Sequence, residues 1–243
     1  MRGRDPRVNE LNSKIALVTG SRRGIGRLVT EHLLHRGARV VGFARGEATI
    51  DHPAYRHYQV NVADASAVQA AFGALGREVG PVEIVINNAA VLTSQYAMIL
   101  PPSAAQEMLN VNLFGPFMVS REAAKMMRRR KWGRIINIGS MAASLEPVGD
   151  SMYAATKAGV ATLANVLARE LGPLGVTCNT LAVTAIDSDM LGQLPRDKVA
   201  AIIDKLPIPR FATGDDICNV VDFLLSDRSG YITAQTIWLG GVN

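Results

Sequence analysis

The stretch SMYAATKAGV, residues 151–160, sets a phenol and an ammonium four residues apart, at Tyr153 and Lys157. On a helix, positions i and i+4 lie on one face, so the two groups can share one site. Ser140 adds a lone hydroxyl upstream. Each has an ordinary reading by itself, a surface pair or a turn residue. A second group of residues points to a charged ligand. TGSRRGIG, residues 19–26, places Gly20, Gly24 and Gly26 where the apolar run KIALVT passes into a helical pattern. Glycine permits the tight turn and lets backbone N–H groups approach a pyrophosphate, while the following helix N-terminus adds partial positive charge. The spacing is G-x3-G-x-G, not the commoner G-x-G-x-x-G. Its place straight after the first strand gives it weight.

The next apolar run, ARVVGFARGE, ends at Ala44 and is followed by Arg45. A site that selects NAD usually places an acid at this strand end, on the ribose hydroxyls. The acid is missing here. Arg45, and Arg23 in the glycine turn, can instead meet a 2′-phosphate with charge-assisted hydrogen bonds. These residues favour NADP(H), with NAD(H) as the second choice.

The elements that must position these groups follow from the alternation of short apolar runs with longer helical patterns. KIALVTG, ARVVGFA, YRHYQVNV, VEIVINNAA, GRIINIGS, GVTCNTLAV and TIWLGG read as seven strands. Helices are expected near 24–35, 65–78, 103–130, 151–171 and 215–226. This order predicts a doubly wound parallel sheet with helices on both faces, in one domain over 13–243. The polar residues 1–12 are expected to form a flexible tail without a signal-peptide core. The 243 residues are 48% apolar but only 5% aromatic, which suits helices packed closely on a sheet. The apolar runs are too short to span a membrane. Cys178 and Cys218 lack metal-ligand spacing and are expected to be free thiols in a reducing compartment, and no metal site is expected. The net charge of +5 centres on RRRKWGR, 128–134, which follows a helical pattern. Cations are favoured at a helix C-terminus, and no aromatic-interleaved module accompanies them, so no nucleic-acid partner is expected.

TGSRRGIG, NNAA (87–90), NVNLFG (110–115), Ser140 and YAATK (153–157) occur in this order. With IDSDM and PIPRFATGDDICNVVDFLLSDRSGYITAQTIWLGG, they make the chain from about Ser13 onward resemble the short-chain dehydrogenase/reductase family. It looks most like the 3-oxoacyl-[acyl-carrier-protein] reductase branch. The resemblance implies a three-layer Rossmann fold and a cytoplasmic homotetramer that reduces a ketone to a secondary alcohol with NADPH. It makes Tyr153 the general acid. A free phenol has a pKa of about 10, and Lys157 with the oxidised nicotinamide would stabilise its phenolate. Ser140 would hold the substrate oxygen, and Asn112 would hold a water against Lys157. The cofactor would lie on Gly20, Ser21, Arg22, Arg23, Gly24, Ile25 and Gly26, with Ala44 and Arg45 at the ribose. Asn61 and Val62 would hold the adenine, and Asn88, Ala89 and Ala90 would line the middle. Tyr153, Lys157, Ile186 and Ser188 would complete the nicotinamide end, and Asn87 would tie strands together. Substrate would meet Ser140, Ala142, Val148, Tyr153 and Met190 under a lid formed by 187–213.

Several positions depart from the family pattern. Ala90 and Ala234 stand for usual glycines, Asn61 for an aspartate, and Val183-Thr184 for Pro-Gly. A carrier protein could dock on the basic run 128–131, although Leu174 stands where that branch often has a basic residue. A secondary metabolite, cyclic ketone or sugar is the alternative substrate. The alternatives from other classes are a catalytically silent NADP-binding regulator and an extended-branch epimerase, the latter needing a larger C-terminal region.

Overall fold

Parallel strands covered on both faces must be apolar on both faces. The computed structural model, which describes residues 11–184, 186, 203–204 and 206–241, bears this out in the central strands. β1 (Ile15–Thr19), β4 (Ile84–Asn87) and β6 (Val176–Val183) are buried throughout. β5 (Gly133–Ser140) is buried except at its last residue, where Ser140 emerges. β2 (Arg39–Ala44), β3 (Tyr55–Gln59) and β7 (Thr236–Trp238) complete a sheet of order β3-β2-β1-β4-β5-β6-β7. All pairs are parallel. The order reverses between β1 and β4, and such a switch point opens a ligand crevice at the strand carboxyl ends.

The helices are α1 (Gly24–His35), α2 (Ala65–Glu78), α3 (Pro102–Leu109), α4 (Gly115–Arg130), the short α5 (Ala142–Leu145), α6 (Ser151–Leu171) and α7 (Gly214–Leu225). One core cluster holds Leu17, Phe43, Phe72, Leu75, Met127 and Ile135 beneath α2, α4 and α6. The other holds Val18, Leu33, Ile84, Ile217 and Val221 beneath α1 and α7. These are the two faces of the sandwich.

Three elements are shorter than the sequence pattern suggests. β3, an edge strand, stops at Gln59, and β7 gives way to a 3-10 turn after Trp238. The single helix expected over 103–130 is two helices joined by a π-helical turn, Asn110–Phe114. Pro116 has no N–H to give the Asn112 carbonyl. The chain switches register there, and the Gly115 N–H reaches back to the Asn110 carbonyl. Residues 1–10 of the expected tail and most of the expected lid, with Ser188 and Met190, lie outside the described residues, whereas Leu11, at the end of the expected tail, is buried in the core.

At Val183-Thr184 the strand runs through Val183 and ends there. Val183 pairs with Ser140, and its carbonyl accepts from the Met141 N–H at 3.0 Å. Ala234 keeps the shape of the glycine it stands for: its φ is +58°, and its N–H donates to the Cys178 carbonyl at 2.9 Å. The left-handed region costs a residue with a Cβ about 1–2 kcal/mol, partly offset by the lower unfolded-state entropy of alanine. Ala234→Gly is therefore expected to stabilise the fold by about 1 kcal/mol, raising the melting temperature by about 2–4 °C. A calorimetric scan showing no rise would mean that the turn relaxes around alanine without strain.

Candidate active site

The glycine turn is held from below by the segment after β4. Thr19 Oγ1 accepts from the N–H groups of Asn88 and Ala89, both at 3.0 Å, and Asn88 Nδ2 donates to the Thr19 carbonyl at 3.0 Å. Gly20 has a φ of +69°, and a Cβ there would approach Asn88 Nδ2 to 2.8 Å. A Cβ on Gly26 would overlap the Gly20 carbonyl. The glycines thus let α1 start hard against the strand ends. Asn87 donates to Ser120 Oγ at 2.9 Å and to Asn137 Oδ1 at 2.8 Å, tying β4 to β5 and α4 as the sequence suggests.

A cleft of about 570 Å³ runs over this turn. Gly20, Arg22, Arg23, Gly24 and Ile25 line one side, and Ala44, Arg45, Asn61, Val62, Asn88, Ala89 and Ala90 line the rest. The size and the α1 N-terminus suit a dinucleotide. Asn61 Oδ1 already accepts from the Ala63 N–H at 3.2 Å. Of the expected cofactor residues that are described, Ser21, Gly26, Tyr153, Lys157 and Ile186 do not line this cleft; Ser21 is fully buried and bonds Tyr55 Oη at 2.9 Å. Arg22 turns to the loop after β2, donating from Nε to the Glu47 carbonyl at 2.6 Å. Arg45 Nη1 lies 3.6 Å from Glu107 Oε1 on α3, both side chains being mostly exposed.

At the other end, α6 presents Tyr153 and Lys157 on one buried face. Lys157 Nζ donates to the Ile138 carbonyl at 2.8 Å and lies 5.8 Å from the centre of the Tyr153 ring. Burial pulls its pKa down from 10.5 to about 8. Tyr153 packs against Met108 and Ala142. Burial raises the phenol pKa above 10, the Ser140 hydroxyl bonded to it works the other way, and the nearby Asp150 charge adds to the rise. The sequence reading has Lys157 holding this phenol toward phenolate. In the protein without ligand, desolvation wins, and Tyr153 is held as the neutral acid.

Asn112 sits in the π turn and braces the site. Its Oδ1 accepts from the Val91 N–H at 2.8 Å, and its Nδ2 donates to the Val91 carbonyl at 2.9 Å and to Thr156 Oγ1 at 3.2 Å. The side-chain amide is thus engaged by Val91 and Thr156. Ala142 is buried against Tyr153, whereas Val148 is 75% exposed on a rim that Gln95 N–H joins through the Gly149 carbonyl at 2.8 Å. Ile186 forms an isolated bridge with Ala212.

The sequence model of the short chain dehydrogenase family matches residues 14–199. The chain belongs to that family. As a member, it is an oxidoreductase of the alcohol–carbonyl interconversion that uses a nicotinamide cofactor. It is 35% identical over 234 residues to the 3-oxoacyl-[acyl-carrier-protein] reductase FabG of Escherichia coli, covering 94% of this chain and 96% of that one. The FabG of Vibrio harveyi is 35% identical over 239 residues, with 95% and 97% covered. A gluconate 5-dehydrogenase from Burkholderia cenocepacia, solved with NADP and tartrate, superposes with a TM-score of 0.91 at 29% identity over 97% of this chain and 96% of that one.

Sequence reasoning missed the bonds that Tyr55 and His57 make beneath the turn, the brace role of Asn112 and the exposed apolar loop with Tyr96, Met98 and Ile99 beside Val148. Pro116 inside a helical pattern was the available signal for the π turn. Nothing in the local pattern marks the loop as exposed.

Proposed function

We propose that the protein is an NADPH-dependent ketone reductase with Tyr153 as its general acid, acting on a 3-oxoacyl group or a similar apolar ketone. One observation carries the reading: Ser140, Tyr153 and Lys157 meet at the strand carboxyl ends, in a fold whose neighbouring cleft suits a dinucleotide. When bound, the cofactor supplies the hydride. Tyr153 donates its proton to the substrate oxygen, which Ser140 orients. The Lys157 ammonium has donors beyond the one given to Ile138, free to hold ribose hydroxyls and a water near Asn112 that returns the proton. Val62, Asn88 and Ile186 shape the cofactor bed, and Ala142 and Val148 border the substrate. Ser188 and Met190 retain their proposed contacts with cofactor and substrate.

The gluconate 5-dehydrogenase was solved with NADP, and the FabG relatives are named for acyl-carrier-protein substrates. Both support this reading, and a sugar is the second substrate class. A panel of β-ketoacyl thioesters, cyclic ketones and sugars, followed by NADPH oxidation, tests it. Turnover of none of them with bound NADPH would favour a silent binding protein instead.

Arg45 is the proposed partner of the 2′-phosphate. Its contact with Glu107 is exposed, and such pairs hold only about 0–1 kcal/mol, so it can be exchanged for a dianion. Arg45→Asp is expected to shift preference toward NADH by about tenfold or more. A ratio of kcat/KM values for NADPH and NADH that stays put would remove Arg45 from the phosphate site.

The assembly is proposed to be a homotetramer. Phe114 and Phe117 on the π turn and α4, 40% and 39% exposed, stand beside Leu113 and Leu163 as an apolar groove. Ala155 and Ala158 expose a second, small-residue face of α6. Faces of this kind call for cover by another subunit. Light scattering at micromolar concentration is expected to give four times the chain mass, and a stable monomer would refute it. Cys178 and Cys218, both buried and free, fit a reducing, cytoplasmic setting.

A further inference from the structure

We propose that Tyr55 and His57 are positioning residues for the cofactor's 2′-phosphate. With Ser21 and the Gly46 carbonyl they form a hydrogen-bonded chain that fixes the glycine turn against the loop after β2. The inference rests on the NADP(H) reading above. Ser21 Oγ lies 2.9 Å from Tyr55 Oη, Tyr55 Oη 3.0 Å from His57 Nδ1, and His57 Nε2 2.8 Å from the Gly46 carbonyl. Donor chemistry fixes the direction of every link. A carbonyl only accepts, so His57 Nε2 carries the proton and donates to Gly46. In the neutral ring Nδ1 then accepts, so Tyr55 donates to it, and Ser21 donates to the Tyr55 oxygen.

The strand is built to admit this chain. Gly42 stands opposite His57 in the β2–β3 register, and a Cβ there would overlap both the Tyr55 and the Ser21 hydroxyls. A glycine inside a strand marks a place where other groups must come close. Ser21 is fully buried, so its hydroxyl serves this chain and not the cleft. On the cleft side Arg22 makes a parallel tie, donating to the Glu47 carbonyl at 2.6 Å while its own carbonyl accepts from Thr49 Oγ1 at 2.8 Å. The turn that carries Arg22 and Arg23 is thereby stapled above and below to the loop that carries Arg45. Cationic groups on two separate segments converge on one dianion only if those segments keep their spacing. NADH carries no charge at that point and still uses the turn and the α1 N-terminus, so it should feel the chain much less.

Dissociation constants for NADPH and NADH, measured by calorimetry on the unliganded protein, test this. His57→Ala and Tyr55→Phe are expected to weaken NADPH by about tenfold and NADH by less than about twofold. His57→Gln can both donate to Gly46 and accept from Tyr55, and it should restore NADPH binding to within about threefold of wild type. At saturating NADPH, kcat should stay within about twofold in all three, because KM and not chemistry carries the loss. Ser21→Ala interrupts the chain from the other end and repeats the test should a β3 variant fail to fold. Equal weakening of both nucleotides, unchanged NADPH affinity, or a glutamine variant no better than alanine would each overturn the proposal. A wild type that binds NADH as tightly as NADPH would overturn the cofactor reading itself, a result read without any variant.

Discussion

Tyr153→Phe is expected to lower kcat for ketone reduction by about 10³-fold while leaving NADPH affinity within about threefold. The substitution removes the proton donor and keeps the ring that fills the space between Met108 and Ala142. The effect should be large because this phenol is the proposed proton donor. Tyr153 is 8% exposed, and burial raises its pKa against the pull of Ser140. No other acid of the described residues has been placed on the substrate oxygen, and water cannot readily replace a buried hydroxyl without new partners. The fold should survive, since phenylalanine loses only the bond to Ser140. Single-turnover measurement with preloaded NADPH isolates the chemical step. A variant retaining more than about a tenth of the wild-type rate would transfer the acid role away from Tyr153.

Much of the fold was legible because a covered parallel sheet writes itself as apolar runs. IALVT and VTCNTLAV are buried at every position, and their ends fall within a residue or so of the expected ones. The edge strand was less so: YRHYQ has no fully buried position and stops early, since only one neighbouring strand constrains it. The Tyr153–Lys157 pair was legible because the i, i+4 step is a local property of helices. The bond between Ser140 and Tyr153 was not, because it depends on where β5 ends relative to α6. The rise that burial gives the Tyr153 phenol was not legible for a related reason. Charge neighbours can be counted in a sequence, but desolvation depends on everything packed around a group. Asn112 shows the same limit. Its amide is engaged by Val91 and Thr156, and that follows from the π turn.

Lys157→Met is expected to abolish measurable reduction and, at the same time, to make the unliganded protein more stable by about 2 kcal/mol at pH 7. The ammonium is 4% exposed, and among the described residues no carboxylate pairs with it. The fall of its pKa from 10.5 to about 8 corresponds to roughly 3 kcal/mol against the charged form, and losing the bond to the Ile138 carbonyl returns about 1 kcal/mol. The sign follows from linkage. Below pH 8 the lysine is charged in both states, so the folded state bears the whole desolvation cost. Between about 8 and 10.5 the folded lysine is neutral while the unfolded one still binds a proton, so stability rises with pH and the cost fades. The gap between variant and wild type should therefore be widest at neutral pH and narrow above pH 8. Urea unfolding at pH 7 and pH 9.5 reads both numbers. The ribose hydroxyls and phenol oxygen proposed to meet this lysine would offset that cost, so a gain in stability on its removal would support a group kept for chemistry at the expense of stability. A methionine variant no more stable than wild type at pH 7 would mean that the ammonium is already well solvated, and its place beside Tyr153 would lose that meaning.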